Sequence, residues 1–209
     1  DPLEVAADGG IEPDTIRGQI KEDDPHHAVT RLLGLENTHN GHAVSLARCQ
    51  AAANAARAAG LSVHLDGARF FNAVEALGCA ETELSGIFDT LSICLSKGLG
   101  APVGSVLVGP RDLIDRARRW RKMLGGGTRQ SGILAAAGLY ALEHNIDRLR
   151  DDRARAERLG QVLSQYGTVD QATNMIFFTP RAGITPALHS HMATHGVRLS
   201  GATGTTRLV

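Results

Sequence analysis

Short apolar runs alternate with longer helical stretches between residues 28 and 108, and this alternation restricts the fold more than any other feature. The runs at 28–35, 61–65 and 90–95 have the length of buried strands, and segments of helical length separate them. Strands that alternate with helices pack into an α/β layer with a mostly parallel sheet. The pattern therefore predicts an α/β fold whose ligands bind at the carboxyl ends of the strands.

The pattern changes after residue 145. Before residue 145, a further strand is expected at 103–108. Helices are expected at 14–21, 45–59, 68–77, 111–124 and 130–144. A charged helix at 147–166 is of the kind that links two lobes. The remaining elements are expected at 173–179, 186–195 (a helix), 197–199 and 206–209. We predict two domains, 1–145 with the main sheet and 146–209 with the linker helix and a small α+β lobe.

Composition and charge exclude several classes of protein. Hydrophobic residues make up 43% of the 209 residues, enough for a proper core, and the 22 basic and 22 acidic residues cancel. Without net charge there is no overall field to attract nucleic acid, and no apolar stretch reaches the roughly 18 residues that span a bilayer. Three well-separated cysteines indicate neither a disulfide framework nor a metal knuckle. We expect a soluble, cytoplasmic protein without a nucleic-acid or membrane partner.

Polar side chains follow the carboxyl ends of the predicted strands. Asp66 ends the strand at 61–65, and Lys97 follows the strand at 90–95. Such ends converge on one crevice at the edge of a parallel sheet. Burying an unpaired carboxylate or amine costs several kcal/mol, so each group needs a partner or a function. Two interpretations stay open, a salt bridge between Asp66 and Lys97 or a functional site.

A functional site built on these two residues suits a carbonyl cofactor. A lysine amine can form a Schiff base with a carbonyl compound. Enzymes that use pyridoxal phosphate combine such a lysine with a carboxylate against the pyridinium nitrogen and with an anion site for the phosphate. Lys97 and Asp66 are the lysine and the carboxylate that this chemistry needs, on successive strands.

Four strings make the assignment more specific. In chain order they are LENTHNG (35–41), HLDGARFFNA (64–73), LSKGLGAPVGSVLVG (95–109) and RWRKMLGGGTRQSGILAAAG (119–138). Together they resemble low-specificity L-threonine aldolase, and the resemblance runs over nearly the whole chain. Relative to that family, the chain lacks the N-terminal segment and the extreme C-terminus.

The resemblance implies a fold and an activity. The family has the aspartate aminotransferase-like fold, type I of the pyridoxal phosphate enzymes, usually assembled as a homotetramer. Residues 1–145 would then be the C-terminal part of its large, cofactor-binding domain, and 146–209 the linker helix and part of its small domain. The implied reaction is the retro-aldol cleavage of L-threonine or L-allo-threonine to glycine and acetaldehyde, which makes the protein a carbon–carbon lyase.

The resemblance also implies roles at the reacting centre. Lys97 matches the Schiff-base lysine, which forms the internal aldimine with the cofactor, and Asp66 matches the partner of the pyridinium nitrogen. His26 matches a histidine near the β-hydroxyl of the substrate, where it, or a water that it orients, takes up the proton. These three residues are the expected catalytic residues.

Arginines and a further lysine match binding residues of the family. Arg69 matches an arginine near the cofactor ring hydroxyl and the substrate carboxylate, and Arg207 matches one that grips the substrate carboxylate. A guanidinium binds a carboxylate through two parallel hydrogen bonds, which suits this task better than a lysine. Lys122 and Arg129 match basic residues near the cofactor phosphate, which the resemblance allows to reach it from a neighbouring subunit.

The same residues are compatible with other functions. Asp66 and Lys97 fit equally well another pyridoxal phosphate enzyme of the same fold, such as a β-eliminating lyase or an aminotransferase. An inactive fragment that serves as an assembly surface is a second alternative. His39 and His42 form an H-x-x-H pattern without a third ligand, so no metal site is expected.

Overall fold

The computed structural model describes residues 1–199 and 204–209. The chain forms two compact units, Asp1–Asp147 and Arg148–Val209. None of the helices in these described ranges combines the length and the apolar character that a membrane span requires.

The first unit contains six helices and four strands among its residues. In chain order they are α1 (Pro13–Gln19), β1 (Leu32–Glu36), α2 (Leu46–Ala58), β2 (Ser62–Gly67), α3 (Phe70–Leu77), α4 (Glu81–Ser85), β3 (Thr90–Cys94), β4 (Ser105–Val108), α5 (Arg111–Met123) and α6 (Gly132–His144). The strands form one sheet in the order β1-β2-β3-β4. The first three are parallel and β4 is antiparallel to β3, so the predicted α/β fold with a mostly parallel sheet is confirmed.

One face of this sheet carries the core of the first unit. Leu33 of β1 and the alternate residues Val63 and Leu65 of β2 are each at most 4% exposed. They cluster with the buried alanines of α2, whose small side chains let a helix approach a sheet closely. The other face carries His64 and Asp66, which line a cavity of about 830 Å³. The faces alternate because successive side chains of a strand point to opposite sides.

The second unit is a small antiparallel sheet with two helices. Its elements are α7 (Leu149–Leu163), β5 (Gly167–Ala172), β6 (Met175–Pro180), α8 (Thr185–Thr194) and β7 (Thr206–Leu208). The sheet order is β5-β6-β7, and both pairs are antiparallel. Ala156 of α7 packs against Ile176 and Phe178 of β6 to form the core of this unit.

Several predicted elements differ from the structure. The strand expected at 197–199 is wrong, because these residues form no strand and β7 pairs with β6 instead. The strand expected at 173–179 is the second half of a hairpin, whose first strand, β5, is too polar for an apolar-run criterion to detect. The first strand begins at Leu32 rather than at residue 28, since Val29 is 65% exposed and has no core to enter.

Candidate active site

Three side chains share one row near the C-terminal edge of the parallel strands. The register pairs Glu36 of β1 with Asp66 of β2, and Asp66 with Ser92 of β3. Because register partners on parallel strands project to the same face, Asp66 lies between a carboxylate and a hydroxyl. Glu36 and Asp66 also line the cavity of about 830 Å³, together with His39. This edge is where open α/β sheets bind their ligands.

Asp66 is held by the turn that connects β2 to α3. Its Oδ1 accepts a hydrogen bond from the backbone N–H of Ala68 over 3.0 Å, while the residue as a whole stays exposed. Arg69, the N-cap of α3, follows directly and is half-buried. The DGAR string therefore brings a carboxylate and a guanidinium to the end of one strand.

Lys97 lies in a closed loop after β3. The backbone N–H of Gly100 donates to the carbonyl oxygen of Lys97 over 2.9 Å, and Gly100 has φ +74°, a conformation that favours glycine. Ala101 donates to Leu95 over 3.0 Å and closes the loop at its base. The side-chain Nδ2 of Asn145, just after α6, donates to the carbonyl oxygen of Leu99 over 2.8 Å. These bonds fix the backbone that carries the lysine.

The salt bridge between Asp66 and Lys97, one of the two open interpretations, is not formed. Both residues are exposed, and across residues 1–199 and 204–209 no ion pair joins the two side chains. The Asp66 carboxylate instead accepts the Ala68 N–H. Amine and carboxylate are therefore both accessible to a third molecule.

Glu36, the neighbour of Asp66 in the row, has a partner of its own. Its Oε2 lies 2.8 Å from Nδ1 of His39, and Nε2 of the same ring lies 3.2 Å from Nδ2 of Asn40. The sequence predicts His39 among the polar residues that follow the first strand, and it also forms an H-x-x-H pattern with His42. The structure adds its partner, a hydrogen bond between the His39 ring and the carboxylate beside Asp66.

Asn37 is a residue of this edge for which the sequence suggested no role. It is 0% exposed, and its side chain bonds to both backbone groups of Val44. Its backbone N–H donates to the carbonyl oxygen of Asp66 over 3.1 Å. The signal available in the sequence was its place directly after a strand, within LENTHNG.

The structure does not join His26 to the sheet edge. His26 lies in an exposed turn ahead of the N-terminal end of β1, whereas Asp66 lies near the C-terminal end of β2. Its Nδ1 is 2.8 Å from Oδ1 of Asp24, which also accepts the His26 backbone N–H over 2.8 Å. These two bonds, the backbone one first, hold the pKa of Asp24 below its usual value. Among the described residues no contact links His26 to Asp66 or Lys97.

The expected phosphate-binding residues lie at the end of α5. Lys122 is in its last turn and Arg129 follows in the connection to α6, and both are exposed. A Cβ at Gly127 would lie 2.5 Å from Cδ of Lys122, so the glycine run folds closely over this lysine. In the described parts of the chain, neither side chain is bonded or ion-paired to Asp66 or Lys97.

Arg207, the remaining expected binding residue, belongs to the second unit. It lies in β7, is exposed, and pairs in register with Phe177 of β6. The flanking Thr206 is buried, so the strand alternation turns the arginine away from the small core of its unit.

A comparison with known proteins identifies the family. The family model for beta-eliminating lyases matches residues 1–181. The chain belongs to this family. It is 48% identical over 210 residues to a low specificity L-threonine aldolase of Escherichia coli K12, a match that covers all of this chain and 63% of the relative. The resemblance read from the four strings is thus confirmed, and the chain spans a little under two thirds of that relative.

Two solved structures have a fold similar to that of this member of the beta-eliminating lyase family. A putative aromatic amino acid beta-eliminating lyase/threonine aldolase from Exiguobacterium sp. 255-15 is 25% identical, with a TM-score of 0.77 over 100% of this chain and 60% of that one. The threonine aldolase of Leishmania major is 17% identical, with a TM-score of 0.78 over 97% of this chain and 62% of that one. At the latter identity the likeness shows the fold alone, and it confirms the fold expected from the sequence.

Proposed function

We propose that this chain carries the reacting lysine and the ring-binding carboxylate of a pyridoxal phosphate-dependent threonine aldolase. The reaction is the cleavage of L-threonine or L-allo-threonine to glycine and acetaldehyde. The observation that carries the proposal is the accessible pair at the sheet edge, in which Asp66 and Lys97 are both exposed and form no ion pair with each other in the described residues. The similarity to the E. coli aldolase over the whole chain supports the choice of substrate.

The donor set at this edge fits pyridoxal phosphate. The cofactor offers an aldehyde to an amine and a ring nitrogen to a carboxylate. Asp66 supplies a carboxylate from β2, and Lys97 supplies an amine from the loop that follows the adjacent strand β3. Lys97 would hold the cofactor through its Nζ, and the Asp66 carboxylate would hold the proton at the ring nitrogen. When bound, the cofactor supplies an electron sink for the bond that breaks at Cα.

The other residues bind and orient the amino acid. Arg69 and Arg207 hold its carboxylate, each guanidinium offering two parallel donors to the two oxygens. His26 accepts the proton of the β-hydroxyl, directly or through a water. Removing that proton at the moment the Cα–Cβ bond breaks lets acetaldehyde leave as a neutral aldehyde. These roles rest on the match between the residues and the aldolase motifs.

Lys122 and Arg129 hold the cofactor phosphate, and they do so from a neighbouring copy in a homotetramer. Two observations support this: within the described residues neither side chain is bonded to Asp66 or Lys97, and large apolar side chains of α5 and α6 stand exposed beside them. Trp120, Met123 and Tyr140 are each at least 60% exposed, which favours burial by a partner.

We also propose a cytoplasmic location, where the three free cysteines stay reduced.

The decisive experiment is to add pyridoxal phosphate, reduce with borohydride and map the labelled peptide. The chain has three lysines, Lys21, Lys97 and Lys122, so the label is readily assigned. The proposal expects a saturable cofactor absorbance band and label on Lys97 alone, both lost in Lys97→Ala. Label spread over Lys21 and Lys122 would argue against it.

Because the chain spans 63% of the E. coli relative, the same measurement is made on a hybrid in which that relative supplies the residues outside the match. Product analysis on the hybrid then separates the possible reactions. Acetaldehyde and glycine from threonine support the aldolase. Ammonia would indicate a β-eliminating lyase and a keto acid an aminotransferase, and either product in place of acetaldehyde would overturn the choice of reaction.

A further inference from the structure

The side chain of Asn37 closes the loop that follows β1. Its Oδ1 accepts the backbone N–H of Val44 over 3.0 Å, and its Nδ2 donates to the backbone carbonyl of Val44 over 2.9 Å. A single side-chain amide thus satisfies both backbone groups of one buried residue, as a neighbouring strand would do. The residues between them, 38–43, form a loop whose two ends are held together by this amide.

Asn37 is held firmly in this position. It is 0% exposed, and Val44 is 4% exposed, so neither residue can exchange its hydrogen bonds for water without opening the core. Sγ of Cys49 lies 3.7 Å from Nδ2 of Asn37 and 3.8 Å from the carbonyl oxygen of Val44. A weakly polar sulfur atom therefore packs against the Asn37 amide.

The backbone of Asn37 then reaches Asp66. The last register pair of β1 and β2 joins Glu36 to Asp66, and the N–H of Asn37 adds one bond beyond it, 3.1 Å to the carbonyl oxygen of Asp66. Asp66 is thereby held at two points: Asn37 bonds its backbone oxygen, and the N–H of Ala68 bonds its carboxylate. The direction of the carboxylate depends on both points.

We propose that Asn37 is a positioning residue for the cofactor, acting through Asp66. Its side chain fixes its own backbone against Val44, and the backbone N–H in turn fixes the peptide unit of Asp66. A carboxylate that binds a ring nitrogen has to be held within a few tenths of an ångström, since hydrogen-bond energy falls steeply with poor alignment. This inference rests on the proposed function, because Asp66 matters only if it binds the cofactor ring.

The test compares Asn37→Ala with the matched control Cys49→Ala. Both remove a buried side chain that contacts Val44, but only the first removes the two amide hydrogen bonds. The measurement is the dissociation constant of pyridoxal phosphate, from absorbance titration of the hybrid protein. We expect Asn37→Ala to weaken binding about tenfold, the factor that corresponds to one lost or misaligned hydrogen bond to a charged group. Cys49→Ala is expected to change the dissociation constant by less than about twofold. The lost burial and the cavity that it leaves lower the stability of the fold rather than the affinity for the cofactor.

A double-mutant cycle decides whether the effect passes through Asp66. In Asp66→Asn the backbone oxygen remains but the charged partner of the ring is gone, so Asn37→Ala should cause no further loss of affinity there. If the tenfold loss persists in the Asp66→Asn background, Asn37 acts through general destabilisation and the inference is wrong. Thermal melts of the cofactor-free proteins check folding, and Asn37→Ser, which keeps one polar group, replaces Asn37→Ala if the latter does not fold.

A second readout needs no cofactor. Loss of the Asn37 clamp should speed hydrogen exchange at the amide of Ala68, whose bond to the Asp66 carboxylate depends on the same turn. Unchanged exchange at that amide would contradict the inference. Absence of cofactor label from Lys97 in the unsubstituted hybrid would overturn the proposed function together with this inference. If Lys97 is labelled but the affinity losses of Asn37→Ala and Asp66→Asn add up in the double variant, this inference alone is overturned and the proposed function stands.

Discussion

Gly67 lies so close to Ser92 that a Cβ at position 67 would be 2.7 Å from the backbone oxygen of Ser92. The same Cβ would be 2.5 Å from Cδ1 of Leu91. Gly67 ends β2 and directly follows Asp66, so this contact sets how near the Asp66 turn approaches β3. Packing between β2 and β3 therefore requires the glycine of the DGAR string, independently of any role in cofactor binding.

We expect Gly67→Ala to lower the free energy of unfolding by about 1–3 kcal/mol, because backbone and core atoms have to move to admit the methyl group. Gly34→Ala is the matched control, since it lies in the adjacent strand and a Cβ there meets no atom within 4 Å among the described residues. Urea denaturation monitored by circular dichroism measures both. Equal midpoints for the two variants would show that β2 and β3 adjust without cost.

The Lys97 loop depends on Asn145. Removing the Asn145 side chain leaves the carbonyl of Leu99, a residue 4% exposed, without the donor that now lies 2.8 Å away. Asn145→Ala should therefore cost about 1–3 kcal/mol of stability and speed amide exchange at Gly100. Asn54→Ala, which removes a bond from Gln50 on the exposed side of α2, should cost less than about 0.5 kcal/mol. Peptide-level exchange that leaves residues 95–104 unchanged in Asn145→Ala would refute this.

Acid should weaken the first unit partly through Asp89. The Arg57 guanidinium, 2.9 Å away, and then the N–H of Val63, 2.7 Å away, hold the pKa of Asp89 below its usual value. A carboxyl with a lower pKa in the folded state stabilises the fold above its unfolded pKa, and this contribution disappears as the pH falls through the folded pKa. Because the pair is partly exposed, the contribution should be about 1 kcal/mol, lost between about pH 5 and pH 2.

The corresponding variant is Asp89→Asn. It should be less stable at neutral pH and should show a smaller loss of stability on acidification than the unsubstituted chain. Asp112→Asn is the control, since its carboxylate is 3.8 Å from Arg116 on an exposed helix face. Urea titrations at a series of pH values measure all three proteins, and parallel curves for Asp89→Asn and the unsubstituted chain would exclude the assigned role.

Thiol reactivity should distinguish the cysteines. Burial raises the pKa of the Cys49 thiol to about 11, and the residue is 3% exposed, so the reactive thiolate is both scarce and shielded. At about pH 8 alkylation of Cys49 should require unfolding, whereas the half-buried Cys94 should react in the folded chain. Mass spectrometry of tryptic peptides after timed labelling gives both rates, and labelling of Cys49 as fast as in urea would show that its core opens.

Much of the main sheet could be predicted because its signals are local. Apolar runs separated by helical stretches indicate α/β packing, and the polar residues that end those runs mark the edge where ligands bind. The strands at 61–65 and 90–95 correspond closely to β2 and β3. The strand expected at 197–199 failed because three residues carry no usable period, and only pairing with β6 selects the strand at Thr206–Leu208.

The sequence by itself determined the fold class, the family and the two residues at the strand ends, Asp66 and Lys97, since each is a matter of residue type at a given spacing. Only the tertiary structure decided that these two form no ion pair within the described residues, that the DGAR glycine is forced by Ser92, and that Asn37 links Val44 to Asp66. The physical reason is that contacts between distant segments depend on strand register and burial. A one-residue shift in register would undo them while leaving every local pattern of the sequence unchanged.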